Sequence, residues 1–315
     1  MDLIRIGLQN LDDARANLDR LKADGVSDER LVGMLKALSK VCDPDCALSN
    51  FVDITNAMQS QGRDFDAMVP DEAALERLIT VLGVSDALGK LMRFRPELVE
   101  AAANDACESH LYNHEQRRAH VLKSVGADPN DHAMPTANLP LAEAATALRK
   151  TYRKQLAAIM TQDATANDPT EIQPRISAEL SDLADAALEG ALAIARHEVD
   201  GSEHVRFAII GMGKLGAREL NYVSDVDLIY VVEPADTDTN GMTLSRVGTK
   251  MRPPCNAYAN PSSWASPNRR SGRSTADCAP KARTAHWYAG SNPTKPTMSN
   301  GRKTGNSKPC SKHAR

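Results

Sequence analysis

Two aspartates separated by a single residue, Asp225 and Asp227, open an alternating stretch that reads DVDLIYVV. Alternation of polar and apolar residues predicts a β-strand, with both carboxylates on one face, about 6.6 Å apart along the backbone. Carboxylates at this spacing can converge on divalent cations, and Mg²⁺ accepts one or two carboxylates together with substrate phosphate oxygens. We interpret Asp225 and Asp227 as candidate catalytic and metal-binding residues. An isolated pair of this kind is also compatible with two solvated residues at the start of a strand.

A glycine-rich turn, GMGKLG, stands shortly before the two aspartates, at residues 211–216. It follows an apolar, β-branched run at 205–210 that predicts a buried strand. Gly211 and Gly213 would let the backbone come close to a phosphate, a following helix would direct its N–H groups at the anion, and Lys214 could add a point charge. Lys214 is equally compatible with a solvated lysine at a helix start. A glycine turn combined with paired carboxylates favours phosphoryl-transfer chemistry.

Two other nucleotide-binding motifs compete for this turn. The phosphate loop GxxxxGK[ST] is not matched, because Ala217 and Arg218 follow Gly216. The dinucleotide motif GxGxxG is matched, and Glu233 stands where the ribose-binding acid would be. Only the eight residues 217–224 separate the turn from the next strand, however, whereas a parallel crossover takes a dozen or more. A dinucleotide-binding oxidoreductase would also leave the aspartates without a role, and it stays as an alternative.

The elements that must position these residues are helices. Residues 1–200 read as successive helices, because leucines and alanines recur at helical spacing and acidic residues stand at several helix starts. Two longer helices, at 141–162 and 176–196, are expected directly before the first strand. No apolar run approaches the roughly 18 residues of a membrane span, and the N-terminus lacks a secretory pattern, so we expect a cytoplasmic protein with free thiols. The pattern predicts a helical region at 1–200 and a small core with strands at 201–250.

The last 65 residues, 251–315, have a different composition from the rest. They contain no Leu, Ile, Val or Phe, yet hold eight of the seventeen prolines. Twelve Lys or Arg against one acid give this tail a net charge of +11, and the other 250 residues carry −14. Without aliphatic side chains to bury, the tail cannot offset an ordering cost of about 1–2 kcal/mol per residue, and we predict a basic disordered tail.

Two explanations of this tail stay open. It is either a natural basic extension that contacts nucleic acid or another polyanion nonspecifically, or an out-of-frame translation that begins near Gly248–Arg252. The abrupt loss of all aliphatic residues favours the out-of-frame hypothesis.

The run GMGKLGARELNYVSDVDLIY resembles the signature of the bacterial glutamine-synthetase adenylyltransferase/adenylyl-removing enzymes, which are polymerase-β-type nucleotidyltransferases. The similarity extends in weaker form over about residues 80–248. It implies an α+β protein: a mostly helical N-terminal region, an incomplete nucleotidyltransferase fold and the disordered tail. Members attach AMP from ATP to a tyrosine of glutamine synthetase and remove it by phosphorolysis as ADP. The ELN at residues 219–221 is more similar to the N-terminal, adenylyl-removing half.

The resemblance also implies roles for single residues. Asp225 and Asp227 would hold Mg²⁺, and Gly211, Gly213 and Ser224 would line the phosphate site, with Lys214 as a further candidate. ATP or ADP would be the nucleotide, and glutamine synthetase and a PII-type nitrogen-signalling protein would be the partners. In this family a later segment similar to VDxxLRPEG supplies a third carboxylate, and nothing here matches it. We therefore expect catalytic impairment, with a non-catalytic helical binding module as the alternative.

Overall fold

The computed structural model describes residues 3–104, 112–222, 224, 226–235, 244–251 and 282–289, the last of these by its backbone only. Asp225 and most of the predicted tail therefore lie outside the described residues. Within these ranges the elements before the sheet are helices α1 (Leu3–Ile6), α2 (Leu11–Ala23), α3 (Asp28–Leu38), α4 (Pro44–Ser60), α5 (Phe65–Met68), α6 (Glu72–Val84), α7 (Asp86–Phe94), α8 (Glu97–Ala103), α9 (His114–Ser124), α10 (Leu141–Ala164) and α11 (Pro169–Glu198). The sheet region contains a 3₁₀ turn (Ser202–His204), β1 (Val205–Met212), α12 (Gly213–Gly216), β2 (Val226–Pro234), a helix at 244–251 that we label α13, and β3 (Ala282–Ala289).

Polar side chains fix where the helices begin. Ser27 and Asp71 each accept a hydrogen bond from the backbone N–H three residues further on, at the starts of α3 and α6. Asn113 and Gln116 form a reciprocal capping box at the start of α9. Asp168 caps α11, whose first residue is a proline. These bonds satisfy N–H groups that have no partner inside the helix, so the capping residues set the helix boundaries.

Three apolar clusters hold the chain together. The first is built by helices α1 to α8, together with Ala157 of α10. A smaller cluster joins α9 and the loop after it to α10 and α11. The remaining cluster packs α10 and α11 against β1, β2 and α13. Helices α10 and α11 therefore connect the helical region to the sheet, as expected for the two long helices before the first strand.

A buried ion pair ties α9 to α11. The guanidinium of Arg117 is fully buried and donates to Glu179 at 2.9 Å and to Gln155 of α10 at 3.2 Å. Arg175 donates to the other carboxylate oxygen of Glu179, also at 2.9 Å. Burial lowers the pKa of Arg117, while the charge of Glu179 opposes that shift. Removing one partner would leave a buried charge uncompensated, so this network constrains how the three helices pack.

The sheet has the order β1-β2-β3. Strands β1 and β2 pair antiparallel, with Met212 opposite Asp227 and Val205 opposite Pro234. The dinucleotide alternative requires two parallel strands joined by a crossover helix, and the antiparallel pairing excludes it. The predicted α+β class, mostly helical with a small sheet after the helices, is confirmed.

Two described segments lie at or beyond the expected end of the core. Helix α13 extends to Met251, which is buried, so the folded region includes the first residue of the predicted tail. Strand β3 pairs parallel with β2 and belongs to the segment expected to be disordered. Its sequence, ARTAHWYA, includes Thr, Trp and Tyr, residue types that favour strands even where aliphatic residues are missing. The rest of the tail lies outside the described residues. Within the described ranges, no helix is both long and apolar enough to cross a membrane.

Candidate functional site

The two faces of the β1–β2 hairpin have different surroundings. On one face, Phe207, Leu228 and Tyr230 are buried and pack in the cluster formed with α10 and α11. On the opposite face, Ile210 and Met212 are 46% and 44% exposed, and Asp227 is exposed as well. Side chains alternate between the two faces of each strand, so every second residue of β1 and β2 faces the core and the residues between them form a free face. The free face carries the carboxylate.

Asp227 lies directly beside the glycine turn. Its partner across the hairpin is Met212, the last residue of β1. The next residue, Gly213, is close enough that a Cβ atom built on it would lie 3.6 Å from the carboxylate oxygen Oδ2 of Asp227. The antiparallel register therefore brings together the glycine turn and one of the two predicted carboxylates. Asp225, the other predicted ligand, lies outside the described residues.

The three glycines of the turn are required by its local geometry. Gly213 adopts a φ of +57°, which favours glycine. A Cβ on Gly216 would lie 2.6 Å from the carbonyl oxygen of Gly211, a contact that the backbone cannot accommodate without moving. A Cβ on Gly211 would lie 2.9 Å from the side chain of Leu215, which is buried. Lys214 is exposed on α12, between the glycines.

Ser224 serves the loop that leads into β2. Its side chain is only 7% exposed, and its hydroxyl donates to the side-chain oxygen of Asn221 and accepts from the Asn221 backbone N–H at 3.4 Å. The hydroxyl therefore closes the loop just before Asp225. Its assignment to a phosphate site stays a prediction.

The loop from the glycine turn to β2 is anchored to the helices at three points. Arg218, whose φ is +61°, donates to Asp182 of α11 at 2.8 Å. The backbone N–H of Leu220 donates to Ser181 of α11 at 3.2 Å. In addition, the Tyr222 hydroxyl donates to Asp163 of α10 at 2.8 Å. These bonds fix the separation between the glycine turn and Asp227.

The anchoring residues on the helices were not predicted from the sequence. Ser181 and Asp182 stand between Leu180 and Leu183 on α11, in a stretch whose residues 180–184 are all buried. Two polar residues inside a buried stretch are the signal that could have identified them, since buried polar groups need hydrogen-bond partners.

Burial also changes the acidity of groups around the loop. It raises the pKa of Asp185, one turn after Asp182 on α11, to about 6; the charge of Asp182 adds to this, while His114 and Arg218 oppose it. The pKa of Tyr222 is raised by burial and by its hydrogen bond to Asp163. One oxygen of Asp182, Oδ1, is buried without a hydrogen-bond partner. The helix side of the loop is therefore poorly hydrated and acidic.

The described part of the chain contains no group of three or more His, Cys, Asp or Glu side chains that could hold a metal ion. A magnesium site of the kind expected here needs fewer, since one or two protein carboxylates suffice when substrate phosphates supply the other oxygens. Asp227 is exposed and adjoins the glycine backbone, so its chemistry fits such a site.

The antiparallel hairpin thus packs on α10 and α11 and places a glycine turn beside a strand carboxylate. The family model described as glutamate-ammonia ligase adenylyltransferase matches residues 75–250. The match spans more than half of the chain, so the chain belongs to this family. It ends at residue 250, where the tail begins.

Relatives of known name support the same assignment. A bifunctional glutamine synthetase adenylyltransferase/adenylyl-removing enzyme of Bifidobacterium longum (strain DJO10A) is 72% identical over 251 residues, which is 80% of this chain and 23% of the relative. The enzyme of the same name from Cutibacterium acnes is 35% identical over 252 residues, 80% of this chain and 25% of the relative. The chain thus spans about a quarter of the length of the relatives it matches.

Proposed function

We propose that this chain carries a nucleotidyltransferase core for modifying glutamine synthetase. The observation that carries the proposal is the adjacency of Gly213 and Asp227 across the antiparallel hairpin. The names of the relatives point to glutamine synthetase as the protein substrate, and the ELN at residues 219–221 favours the adenylyl-removing direction. The partner is glutamine synthetase, with a PII-type nitrogen-signalling protein as a regulator and a cytoplasmic location.

In this proposal the turn and the strand have separate tasks. The backbone at Gly211 and Gly213 lets the phosphates of ADP or ATP approach closely, with Lys214 and Ser224 at the edge of the phosphate site. Asp227 and Asp225 hold Mg²⁺, which when bound neutralises charge on the phosphate oxygens. The loop anchors on α10 and α11 hold the segment between the glycine turn and β2 against the helices.

Removal of AMP from the tyrosine needs no reactant other than inorganic phosphate. An oxygen of inorganic phosphate attacks the phosphorus of the tyrosine-bound AMP, and the bond from that phosphorus to the tyrosine oxygen breaks. The products are ADP and the tyrosine hydroxyl, which takes up a proton. In the opposite modification, the tyrosine oxygen attacks the α-phosphorus of ATP and pyrophosphate leaves.

We further propose that this chain turns over slowly. Composition changes at residue 251, the family match ends at residue 250, and no VDxxLRPEG-like segment follows. In the register of the sheet, the β3 residue paired with Asp227 is Arg283, which is basic. An out-of-frame tail from about Gly248–Arg252 explains these observations.

The experiment compares this chain with a frame-corrected one. Adenylylated glutamine synthetase is incubated with phosphate and Mg²⁺, and ADP release is measured. We expect negligible release by the present chain and strong release after a single-nucleotide shift near codon 250, provided that frame encodes a VDxxLRPEG-like segment. Fast release by the present chain would contradict the proposed impairment. If the corrected chain captures glutamine synthetase but releases no ADP, the non-catalytic binding module is the better account.

A further inference from the structure

A cleft of about 700 Å³ runs beside strand β1, on the side away from β2. One wall is formed by the start of α9, by residues 132–133 and by α11. The other wall includes five consecutive residues of β1, 207–211. Because side chains alternate between the two faces of a strand, five consecutive residues line a cleft only where the backbone edge of the strand is accessible.

Among the described residues, no strand lies beside that edge of β1. Strand β1 is at the end of the sheet order β1-β2-β3, and the described backbone hydrogen bonds of Ala208–Gly211 all lie within its pairing with β2. Proteins usually protect such an edge with prolines, several charges or a covering loop. In β1 the only charged residue is Arg206, and no proline interrupts the strand. The edge therefore offers a row of donors and acceptors to another extended chain.

Two arginines on the opposite wall, Arg118 and Arg196, are already engaged. Arg118 donates to two carbonyls of the loop 129–131 and lies 3.5 Å from Glu189. Arg196 donates to the carbonyl of Pro135 and lies 3.9 Å from the same glutamate. A small anion would have to compete with these contacts, whereas a peptide backbone would find the edge of β1 open.

We propose that this cleft binds an extended peptide, which adds as a strand to the edge of β1 at Ala208–Gly211. The proposal rests on the proposed function in one respect: the peptide is the part of the substrate protein that flanks the modified tyrosine. Main-chain hydrogen bonds to a sheet edge give such a peptide its affinity.

The position of the cleft relative to Asp227 supports this occupant. A strand added to β1 lies two strand spacings, about 10 Å, from β2. Strand β1 ends at Met212, which is opposite Asp227, so the added peptide runs toward the carboxylate. A tyrosine side chain that carries a nucleotide can bridge this separation.

Alternate N-methylation of the peptide tests the docking mode. The probe is a fluorescein-labelled synthetic peptide that spans the modified-tyrosine segment of glutamine synthetase, and its affinity for the full chain is measured by fluorescence anisotropy. In an added strand only every second N–H faces β1. Methylating that set should weaken binding about tenfold or more, since several hydrogen bonds are lost, while methylating the other set should change it less than about twofold. Equal effects of the two sets, or no binding, would overturn the docking proposal.

A variant that fills the cleft provides the second test. Asp185 lines the cleft from α11, and Asp185→Trp should abolish peptide binding. The control is Val32→Trp on α3. Val32 is 50% exposed, and α3 precedes the sheet by many helices along the chain. Circular dichroism checks that both variants fold. Undiminished binding by a folded Asp185→Trp would overturn the proposal, and so would a concentration-dependent dimer that excludes the peptide.

Manganese binding separates the failure of this proposal from the failure of the proposed function. Mn²⁺ broadens NMR signals near its site, and the signals of Gly213 and Asp227 report on it. Selective broadening there, together with equal effects of both methylated peptides, would overturn the docking proposal alone. An alternating methylation pattern without Mn²⁺ broadening would support docking and overturn the metal-dependent function.

Discussion

The helix-facing and free faces of the β1–β2 hairpin use the same strands for opposite purposes. The helix-facing side chains are buried against α10 and α11, so their identity sets the stability of the hairpin. The free face exposes apolar residues and Asp227, which adds little to stability and is available to a ligand. The difference indicates that residues that stabilise the hairpin alternate along each strand with residues that are available to bind a ligand. A substitution on one face should change stability, and on the other face ligand binding.

The largest difference between the faces is expected for aliphatic truncations. Leu228 is 2% exposed in the core, whereas Ile210 is 46% exposed on the free face. Leu228→Ala should lower the free energy of unfolding by about 2–5 kcal/mol, because it removes buried methyl groups and leaves a cavity. Ile210→Ala should change it by about 0.5 kcal/mol or less. Urea denaturation followed by circular dichroism measures both, and equal losses would contradict the assignment of the two faces.

The glycine turn should be the next most sensitive element. Gly216→Ala places a Cβ atom against the Gly211 carbonyl and should cost about 1–3 kcal/mol through the forced backbone shift. Gly33→Ala in α3 is the matched control, since its Cβ would meet the nearest atom, Cδ2 of Leu75, at 3.6 Å. The control should stabilise the protein by about 0.5–1 kcal/mol through helix propensity. Tolerance of alanine at Gly216 would show that the close contact in the turn is not needed.

A smaller, pH-dependent effect is expected at Asp185. Its pKa is raised by burial to about 6 from an ordinary value of 3.8, with Asp182 adding to the shift and His114 and Arg218 opposing it. Because folding favours the protonated carboxyl, this contribution to stability is full below about pH 4 and is lost as the pH rises through about 6. Asp185→Asn should therefore be more stable than the wild type at pH 7.5, by about 1 kcal/mol after allowing for solvent screening.

Thermal unfolding of the wild type and Asp185→Asn from pH 4 to pH 8 measures this difference. The two curves should approach each other toward the acidic end, where the wild-type carboxyl is protonated in the folded state. A constant difference in stability across the pH range would show that burial does not raise the pKa of Asp185.

Local spacing predicted much of the fold. The helical region, the strand before the glycine turn and the strand that carries Asp227 were all visible as periodic patterns, and the short link at 217–224 argued against a parallel crossover. The two long helices run at Leu141–Ala164 and Pro169–Glu198, and the second begins seven residues before its expected start at 176. Capping by Asp168 sets the start of the second. These features depend on contacts between near neighbours in sequence.

The remaining features depend on residues far apart in sequence. Nothing in the spacing of Asp163 or Asp182 indicates that they hold a loop 36 to 59 residues later. The anchor of Leu220 on Ser181 likewise joins residues 39 apart. Strand β3 was missed, since the tail lacks the aliphatic alternation by which strands are identified. Tertiary contacts decide these cases, and a single sequence does not contain them explicitly.

The most direct test of the separation between support and chemistry is Mn²⁺ broadening of backbone amide signals in the full chain. The wild type should show broadening centred on Gly213 and on the start of β2 at Val226–Leu228. Asp227→Asn should lose it with an unchanged unfolding midpoint, while Asp53→Asn, a surface control, should retain it. Broadening that persists in Asp227→Asn, or that never concentrates at the glycine turn, would contradict the account.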